Sequence, residues 1–291
     1  MHAFDRDMGF VRESDGVLNV TMSDQWSINH VPNGGYSMAL LTHGMMDNGM
    51  ISHGLMEGNP FVTCIATANY IDRCDPKPAQ ILLETISESR HFVRKQARLV
   101  QDGKERIRAM GTFIKSADIP LPKHYEREPE KMTPPDQCFK VPPMGGGYSL
   151  FDQVDMRLDP ECAGWTTGKL TDRSVQKGWI RFKENRPVDV LAITFFADSF
   201  PPCIFASRGM VAWVPTIEYS VNVRQLPVPG WLRGIFTTRF ISSGLVEEDG
   251  ELWDQENNLI AISRQIAKYH PTLEQRGHLV MNHKDSLNFL K

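Results

Sequence analysis

The sequence of 291 residues lacks any excess of positive charge. It holds 32 lysine and arginine residues against 35 aspartate and glutamate residues, a formal net charge of −3. Because a nucleic-acid partner needs lysine and arginine to neutralise its phosphates, this balance argues against one. The chain also lacks a long hydrophobic run: the longest, residues 190–197, falls far short of the roughly 20 residues that cross a bilayer. Charges in the opening MHAFDRDMGF argue against a signal peptide, so we expect a cytoplasmic protein without a membrane span.

Cysteine is scarce, and its spacing fits no metal site. No two cysteines form Cys-x-x-Cys, and no histidine cluster accompanies them at the spacing that zinc requires. We therefore expect reduced thiols and no metal or other cofactor. The five cysteines are Cys64, Cys74, Cys138, Cys162 and Cys203.

Proline and glycine concentrate in one segment in the middle of the chain. Residues 116–147 contain seven prolines and end in three consecutive glycines, a composition that cannot sustain a helix or a central strand. We interpret the segment as a linker laid over the surface in extended form. It divides the chain into an N-terminal part, residues 1–115, and a C-terminal part, residues 148–291, which ends in a tail.

The two parts repeat one order of elements. An apolar helix over 33–49 precedes a strand over 61–72 and a long hairpin that turns at Asp102-Gly103. A second helix over 188–200, apolar nearly all round and therefore buried, precedes a strand over 216–225 and a second hairpin. A long antiparallel sheet around a buried helix is the hot-dog arrangement. We predict an α+β double hot-dog whose two sheets pair edge to edge, which also protects edge strands.

Three polar residues of the C-terminal part have apolar or small neighbours. Asp198 follows two phenylalanines near the end of the buried helix, and Thr216 opens the strand. In the last strand, alternation puts Gln265 on one face with small residues. A carboxylate, a hydroxyl and an amide can hold and deprotonate one water molecule. The alternative is structural: a surface aspartate after a helix, a threonine that favours strands and a glutamine that faces solvent.

The order and surroundings of these residues resemble the TesB-type acyl-CoA thioesterases. The shared features are Asp198 in A-D-S-F, Thr216 in V-P-T-I-E-Y, Gln265 in I-A-x-x-x-Q, the first-half segment QWSINHVPNGGYSMALL and the hairpin after ANYIDRCDPKP. The resemblance spans about residues 24–269 and implies a double hot-dog hydrolase that uses an Asp–Thr–Gln set in its second half. It also implies an acyl-CoA or acyl-carrier-protein thioester as substrate, and we expect a homo-oligomer. The N-G-G-Y sequence is closer to the divergent thioesterase-like branch.

The segment Asn33-Gly34-Gly35 at the start of the first helix has two interpretations. It is a turn with a helix cap, which asparagine and glycine favour for conformational reasons. Alternatively it binds substrate, because free N–H groups at a helix N-terminus can stabilise the oxygen of a thioester carbonyl as negative charge develops.

The repeat allows an internal comparison. By its offsets, Ile65 stands where Thr216 does and Gly111 where Gln265 does, while Asp47 precedes Ile65 by the separation of Asp198 from Thr216. We therefore expect only the second half to carry out hydrolysis.

Two other functions stay open at this point. One is an acyl-thioester hydratase or dehydratase, which usually pairs a carboxylate with a histidine. No histidine follows Asp198 before His270. The other is a non-catalytic module that binds acyl thioesters. Four arginines lie on predicted strands, where they contact either a CoA phosphate or solvent. They are Arg73, Arg94, Arg98 and Arg224.

Overall fold

The computed structural model describes residues 1–46, 61–115, 123–210 and 214–269. Its first half contains two α-helices and eight strands within these residues. In chain order they are α1 (Ala3–Asp7), β1 (Phe10–Ser14), β2 (Val17–Thr21), β3 (Ser27–Ile28), β4 (Val31–Pro32), α2 (Gly34–Met46), β5 (Phe61–Tyr70), β6 (Pro78–Glu88), β7 (Phe92–Gln101) and β8 (Lys104–Lys115).

The second half repeats the order, with a short strand, β9, ahead of it. Its elements are β9 (Phe139–Lys140), α3 (Leu150–Gln153), β10 (Val154–Leu158), β11 (Ser174–Phe182), α4 (Val190–Phe196), α5 (Ile204–Arg208), β12 (Thr216–Val223), β13 (Leu232–Thr238), β14 (Ile241–Ser242), β15 (Leu245–Trp253) and β16 (Leu259–Lys268).

One antiparallel sheet runs through both halves. Its strands lie in the order β1-β2-β6-β7-β8-β5-β12-β16-β15-β13-β11-β10-β9, with β14 beside β15. The halves meet where β5 pairs with β12, so each half covers an edge strand of the other. The order reads the same outward from this junction in both directions. The predicted double hot-dog with edge-to-edge sheets is confirmed.

The two long helices fill the inside of the sheet. Every residue of α2 from Gly35 to Met46 and every residue of α4 is buried, as their apolar sequences predicted. The helices also contact each other, and the hydroxyl of Tyr219 on β12 donates to the carbonyl of Thr194 on α4 at 3.0 Å. None of the described helices is long and apolar enough to cross a membrane.

The predicted turns follow the local sequence. Asp102 and Gly103 join β7 to β8 with φ of 50° and 71°, the positive values of the two-residue turn that Asp-Gly favours. In the second half Asn257, with φ of 62°, lies in the turn between β15 and β16.

The N-terminus ties the first half to the second. Phe4 on α1 is fully buried and packs against Trp26, Phe182 and Phe195 with ring centroids 5.1–5.5 Å apart. The guanidinium of Arg186 lies 4.9 Å from the Phe4 ring centroid and pairs with acidic side chains of α1 and of the residue before α4. This aromatic cluster holds the first turn of α2 beside the end of α4.

Candidate active site

A cavity of about 550 Å³ lies where the start of α2, the end of α4 and the strand pair β12–β16 meet. Five of the six site residues predicted from sequence line it: Asn33, Gly34, Asp198, Thr216 and Gln265. The sixth, Gly35, contacts the cavity's carboxylate through its backbone. Residues separated by more than 200 positions in sequence therefore face one cavity.

The carboxylate of Asp198 is bound by the N-terminus of α2. Its Oδ2 accepts a hydrogen bond from the backbone N–H of Gly35 at 2.7 Å and one from the side-chain amide of Asn33 at 3.2 Å. The same amide donates to the Asp198 carbonyl at 2.9 Å. Asp198 follows α4, where the carbonyl end of its own helix disfavours negative charge, so the positive end of α2 compensates it.

Asn33 is the N-cap of α2. Its side-chain oxygen accepts from the N–H of Tyr36 at 3.0 Å, and its carbonyl accepts from the N–H of Ser37 at 3.0 Å. This leaves the N–H groups of Gly34 and Gly35 as the unpaired donors of a helix start. Asp198 takes the second of them. The segment is therefore the cap of α2, and its second free N–H binds a carboxylate of the protein itself. Binding of a substrate oxygen by Asn33, Gly34 and Gly35 stays a prediction.

The close approach of α2 and α4 requires glycine at position 35, and a side chain at position 34 would displace groups of the site. A Cβ on Gly35 would lie 2.8 Å from the carbonyl oxygen of Phe195 and 2.9 Å from the Cβ of Asp198. A Cβ on Gly34 would lie 2.8 Å from the Asp198 carboxylate and 3.2 Å from the hydroxyl of Tyr70. That hydroxyl donates to the Gly34 carbonyl at 2.7 Å.

Burial raises the pKa of Asp198 from an ordinary 3.8 to about 7. The hydrogen bond from Gly35 opposes this increase, the negative charge of Glu248 adds to it, and the hydrogen bond from Asn33 opposes it again. A carboxylate with a pKa near neutrality can both accept a proton from a reacting group and release it, which suits a general base.

Thr216 reaches the inner face of the sheet because of a β-bulge. Simple alternation from the buried Tyr219 and Val221 would put Thr216 on the outer face. The pairing of β12 with β16 shifts register between Thr216 and Glu218, and the extra residue reverses the alternation. The hydroxyl of Thr216 thereby donates to the Oε1 of Gln265 at 2.7 Å.

Glu248 on β15 is a polar neighbour of the cavity residues that the sequence analysis missed. The Nε2 of Gln265 donates to its Oε1 at 3.3 Å, and the backbone N–H of Cys203 donates to its Oε2 at 2.7 Å. A signal for it exists in the sequence. Alternation in β15 places Glu248 on the same face as Val246 and Leu252, both buried.

The remaining walls of the cavity are mainly apolar. The segment predicted as a surface linker, residues 116–147, supplies Phe139, Val141 and Met144, and Tyr148 directly after it lines the cavity too. They face aromatic rings from the region between β10 and β12, namely Trp165, Phe200 and Phe205. The basic side chains that line the cavity are those of Arg73 and Lys268. The cavity therefore offers an extended apolar wall together with two basic side chains, and Asp72 and Asp198 are the acidic residues that line it.

The β-bulges at the start of β5 and β12 show which residues of the two halves are equivalent. β5 and β12 each contain a bulge near their first residues. Aligning the bulges makes the pair Cys64–Phe113 of the first half the counterpart of Tyr219–Gln265 in the second. A fully buried phenylalanine therefore occupies the position of the glutamine.

The sequence-based pairing of Ile65 with Thr216 and of Gly111 with Gln265 was wrong in register. Ile65 is 37% exposed on the outer face of the sheet, and Gly111 lies beside the Phe113 ring. Offsets counted along the chain cannot account for bulges and unequal turns. Asp47, the predicted carboxylate of the first half, lies outside the described residues.

Other candidates from the sequence lie elsewhere. Arg94, Arg98 and Arg224 do not line this cavity. The five cysteines are buried and unpaired with one another. Within the part of the chain that the structure describes, no group of three or more histidine, cysteine, aspartate or glutamate side chains is arranged to hold a metal ion.

Two models of protein families match this chain. The model of the acyl-CoA thioesterase N-terminal domain matches residues 22–114, and that of the acyl-CoA thioesterase C-terminal domain matches residues 126–268. Together they cover most of the chain and all six site residues predicted from the sequence.

Three individual proteins show how far the similarity extends. An uncharacterized protein of Mycobacterium tuberculosis is 23% identical in an alignment 268 residues long, which covers 86% of this chain and 90% of that one. A hot-dog protein of unknown function from Alicyclobacillus acidocaldarius superposes with a TM-score of 0.80 at 18% identity, over 93% of this chain and 98% of that one. The acyl-CoA thioesterase II TesB2 of Mycobacterium marinum superposes with a TM-score of 0.71 at 14% identity, over 93% of this chain and 100% of that one. At these identities the two solved structures show a shared fold.

Proposed function

This chain belongs to the acyl-CoA thioesterase family, and we propose that it hydrolyses an acyl-CoA thioester to a free acid and CoA. The observation that carries the proposal is a carboxylate with a pKa of about 7, Asp198, in one cavity with the hydrogen-bonded pair Thr216–Gln265. In this mechanism Asp198 is the general base and the other two residues orient the attacking water.

The hydrogen bonds fix what each group can do for that water. Thr216 donates its hydroxyl proton to Gln265, so its oxygen is left to accept one hydrogen of the water. Asp198 accepts the other hydrogen. A water held by both of its hydrogens directs a lone pair away from them, toward the carbonyl carbon of a thioester placed in the cavity.

Hydrolysis then follows as an addition and an elimination. Asp198 takes a proton from the water while the water oxygen bonds to the carbonyl carbon of the thioester. The π electrons of the carbonyl bond move onto the carbonyl oxygen. The N–H of Gly34 at the start of α2 is the donor that we assign to this oxyanion, since Asp198 occupies the N–H of Gly35. Collapse of the intermediate breaks the C–S bond, and the proton held by Asp198 goes to the CoA sulfur.

The cavity walls suggest how the substrate lies. The apolar wall from Phe139, Val141 and Met144 suits an acyl chain, and Arg73 and Lys268 suit the phosphates of CoA. No cofactor takes part in the proposed reaction. The homo-oligomer and the cytoplasmic location expected from the sequence stay predictions.

A comparison of two reactions tests the proposal against its closest alternative. No histidine is among the described residues that line the cavity, which favours hydrolysis over hydration. We expect thiol release from saturated acyl-CoAs, detected with a thiol reagent, and no hydration of crotonyl-CoA, followed by loss of its conjugated absorbance. Hydration without thiol release would replace the proposal, and tight binding without either reaction would favour a non-catalytic module.

A further inference from the structure

Glu248 is a buried carboxylate at the far end of the hydrogen-bond chain that begins at the cavity. Its side chain is 8% exposed, and it accepts from Gln265 and from the backbone of Cys203. No ion pair of Glu248 occurs among the residues that the structure describes. A buried carboxylate without a cation costs several kcal/mol unless hydrogen bonds or a function offset it.

The chain of hydrogen bonds has a direction that Glu248 determines. An ionised carboxylate only accepts, so it selects the NH₂ end of the Gln265 amide. The carbonyl end of that amide then faces Thr216 and must accept the hydroxyl proton. The Thr216 oxygen is thereby left as an acceptor toward the cavity. If the amide were turned around, its NH₂ group would donate to Thr216, and the hydroxyl proton would point at the water.

We propose that Glu248 is a positioning residue of this active site, which holds the Gln265 amide in the one orientation that leaves Thr216 an acceptor for the attacking water. The inference rests on the proposed function, because only a hydrolytic water needs Thr216 to accept. Glu248 does not line the cavity, and it acts through Gln265, which does.

The charge of Glu248 also affects the pKa of the proposed general base, Asp198. Burial raises the pKa of Glu248, the hydrogen bonds from Cys203 and Gln265 lower it, and the neighbouring Glu247 raises it again. In turn the charge of Glu248 raises the pKa of Asp198. The described groups that set these two pKa values include no lysine, arginine or histidine.

Glu248→Gln tests the proposal with a side chain of nearly the same shape. Its carbonyl can still accept from the Cys203 N–H, which leaves its own NH₂ group facing Gln265 and favours the reversed amide. We expect kcat to fall about 10- to 100-fold with little change in KM, because the substrate is still bound but the water is misdirected. Glu247→Gln is the matched control. Its carboxylate accepts from backbone N–H groups after β13, so kcat should stay at the wild-type value.

A double-mutant cycle separates positioning from general damage. If Glu248 acts through Gln265, adding Glu248→Gln to Gln265→Ala should lower kcat by less than twofold, because the amide it orients is already absent. A structural role predicts that the two losses multiply. Multiplied losses would overturn the proposal.

The pH profile supplies a readout that misfolding does not imitate. Removing the charge at position 248 lowers the pKa of Asp198, so the acid limb of kcat/KM should move to lower pH by about half a unit or more. Glu248→Asp keeps the negative charge, but the shorter side chain moves the carboxylate away from the amide of Gln265. This variant should lose kcat with the acid limb unmoved, and it replaces Glu248→Gln if that protein does not fold.

The outcomes distinguish this inference from the proposed function. If Asp198→Asn abolishes turnover while both Glu248 variants keep wild-type kcat and acid limb, only the role of Glu248 is refuted. If Asp198→Asn retains turnover, the proposed mechanism itself fails, whatever the Glu248 variants do.

Discussion

Replacing Asp198 by asparagine is predicted to stabilise the protein at alkaline pH while it removes activity. The pKa of Asp198 is raised from 3.8 to about 7, so the folded protein keeps a proton that the unfolded chain has lost between these values. The stability that this carboxyl contributes is complete below about pH 4 and is lost as the pH rises through 7. Asparagine cannot ionise, and its carbonyl can still accept from the N–H of Gly35.

The magnitude follows from the two pKa values. The difference between 3.8 and about 7 corresponds to a cost of about 4 kcal/mol for the fully ionised group, at about 1.4 kcal/mol for each pH unit. Near pH 5 less than half of that cost is present. Asp198→Asn should therefore raise the free energy of unfolding, relative to wild type, by about 2–3 kcal/mol more near pH 8.5 than near pH 5.

Urea unfolding of both proteins at the two pH values is the assay. Asp155→Asn is the matched control: burial raises the pKa of Asp155, but the hydrogen bond and charge of Arg157, with the charges of Lys140 and Arg181, lower it below its ordinary value. That carboxylate stabilises the fold when ionised, so its removal should destabilise the protein above about pH 4. An Asp198→Asn variant that gains the same stability at both pH values, or loses stability near pH 8.5, would refute the reasoning.

The remaining predictions concern the base, the helix contact and the acyl wall. The kcat/KM of hydrolysis should rise with pH through about 7 as Asp198 ionises, and an acid limb near pH 4 would contradict the burial argument. Gly35→Ala should cost about 1–3 kcal/mol in urea unfolding and most of the activity, because its methyl group meets the Phe195 carbonyl. Gly44→Ala in the same helix, which meets only side chains, is its control, and equal losses would contradict the account. Met144→Ala should raise the ratio of kcat/KM for long acyl chains to kcat/KM for short ones, because Met144 lines the cavity. An unchanged ratio would show that the linker does not contact the acyl chain.

Much of the fold could be predicted because its signals are local. Asp102-Gly103 specifies a tight hairpin turn, and the apolar sequence of 190–196 specifies a helix that must be buried. The linker shows the limit of composition. Its prolines and glycines predicted a surface connection, yet Met144 within it lines the cavity, because neighbouring apolar residues bury themselves against the second half.

The contacts within the site could be predicted only in part, because they depend on how distant segments pack together. Thr216 was a candidate from its place in the sequence, and the resemblance favoured it, but its place on the inner face depends on a bulge that no residue type signals. The contact of Gly35 with Asp198 joins residues 163 positions apart and follows from the close approach of α2 and α4. Glu248 was within reach of an alternation argument, yet a carboxylate in a strand is read as solvated until its buried neighbours are known.

The turnover of Asp198→Asn beside wild type tests the central claim most directly. Thiol release from a series of acyl-CoAs, from acetyl to palmitoyl with benzoyl included, would be measured for both proteins above pH 8, where Asp198 is ionised. We predict that wild-type turnover peaks within the series and that the variant, though folded, loses about 100- to 10,000-fold in kcat. A folded variant that releases thiol at close to the wild-type rate would contradict the account.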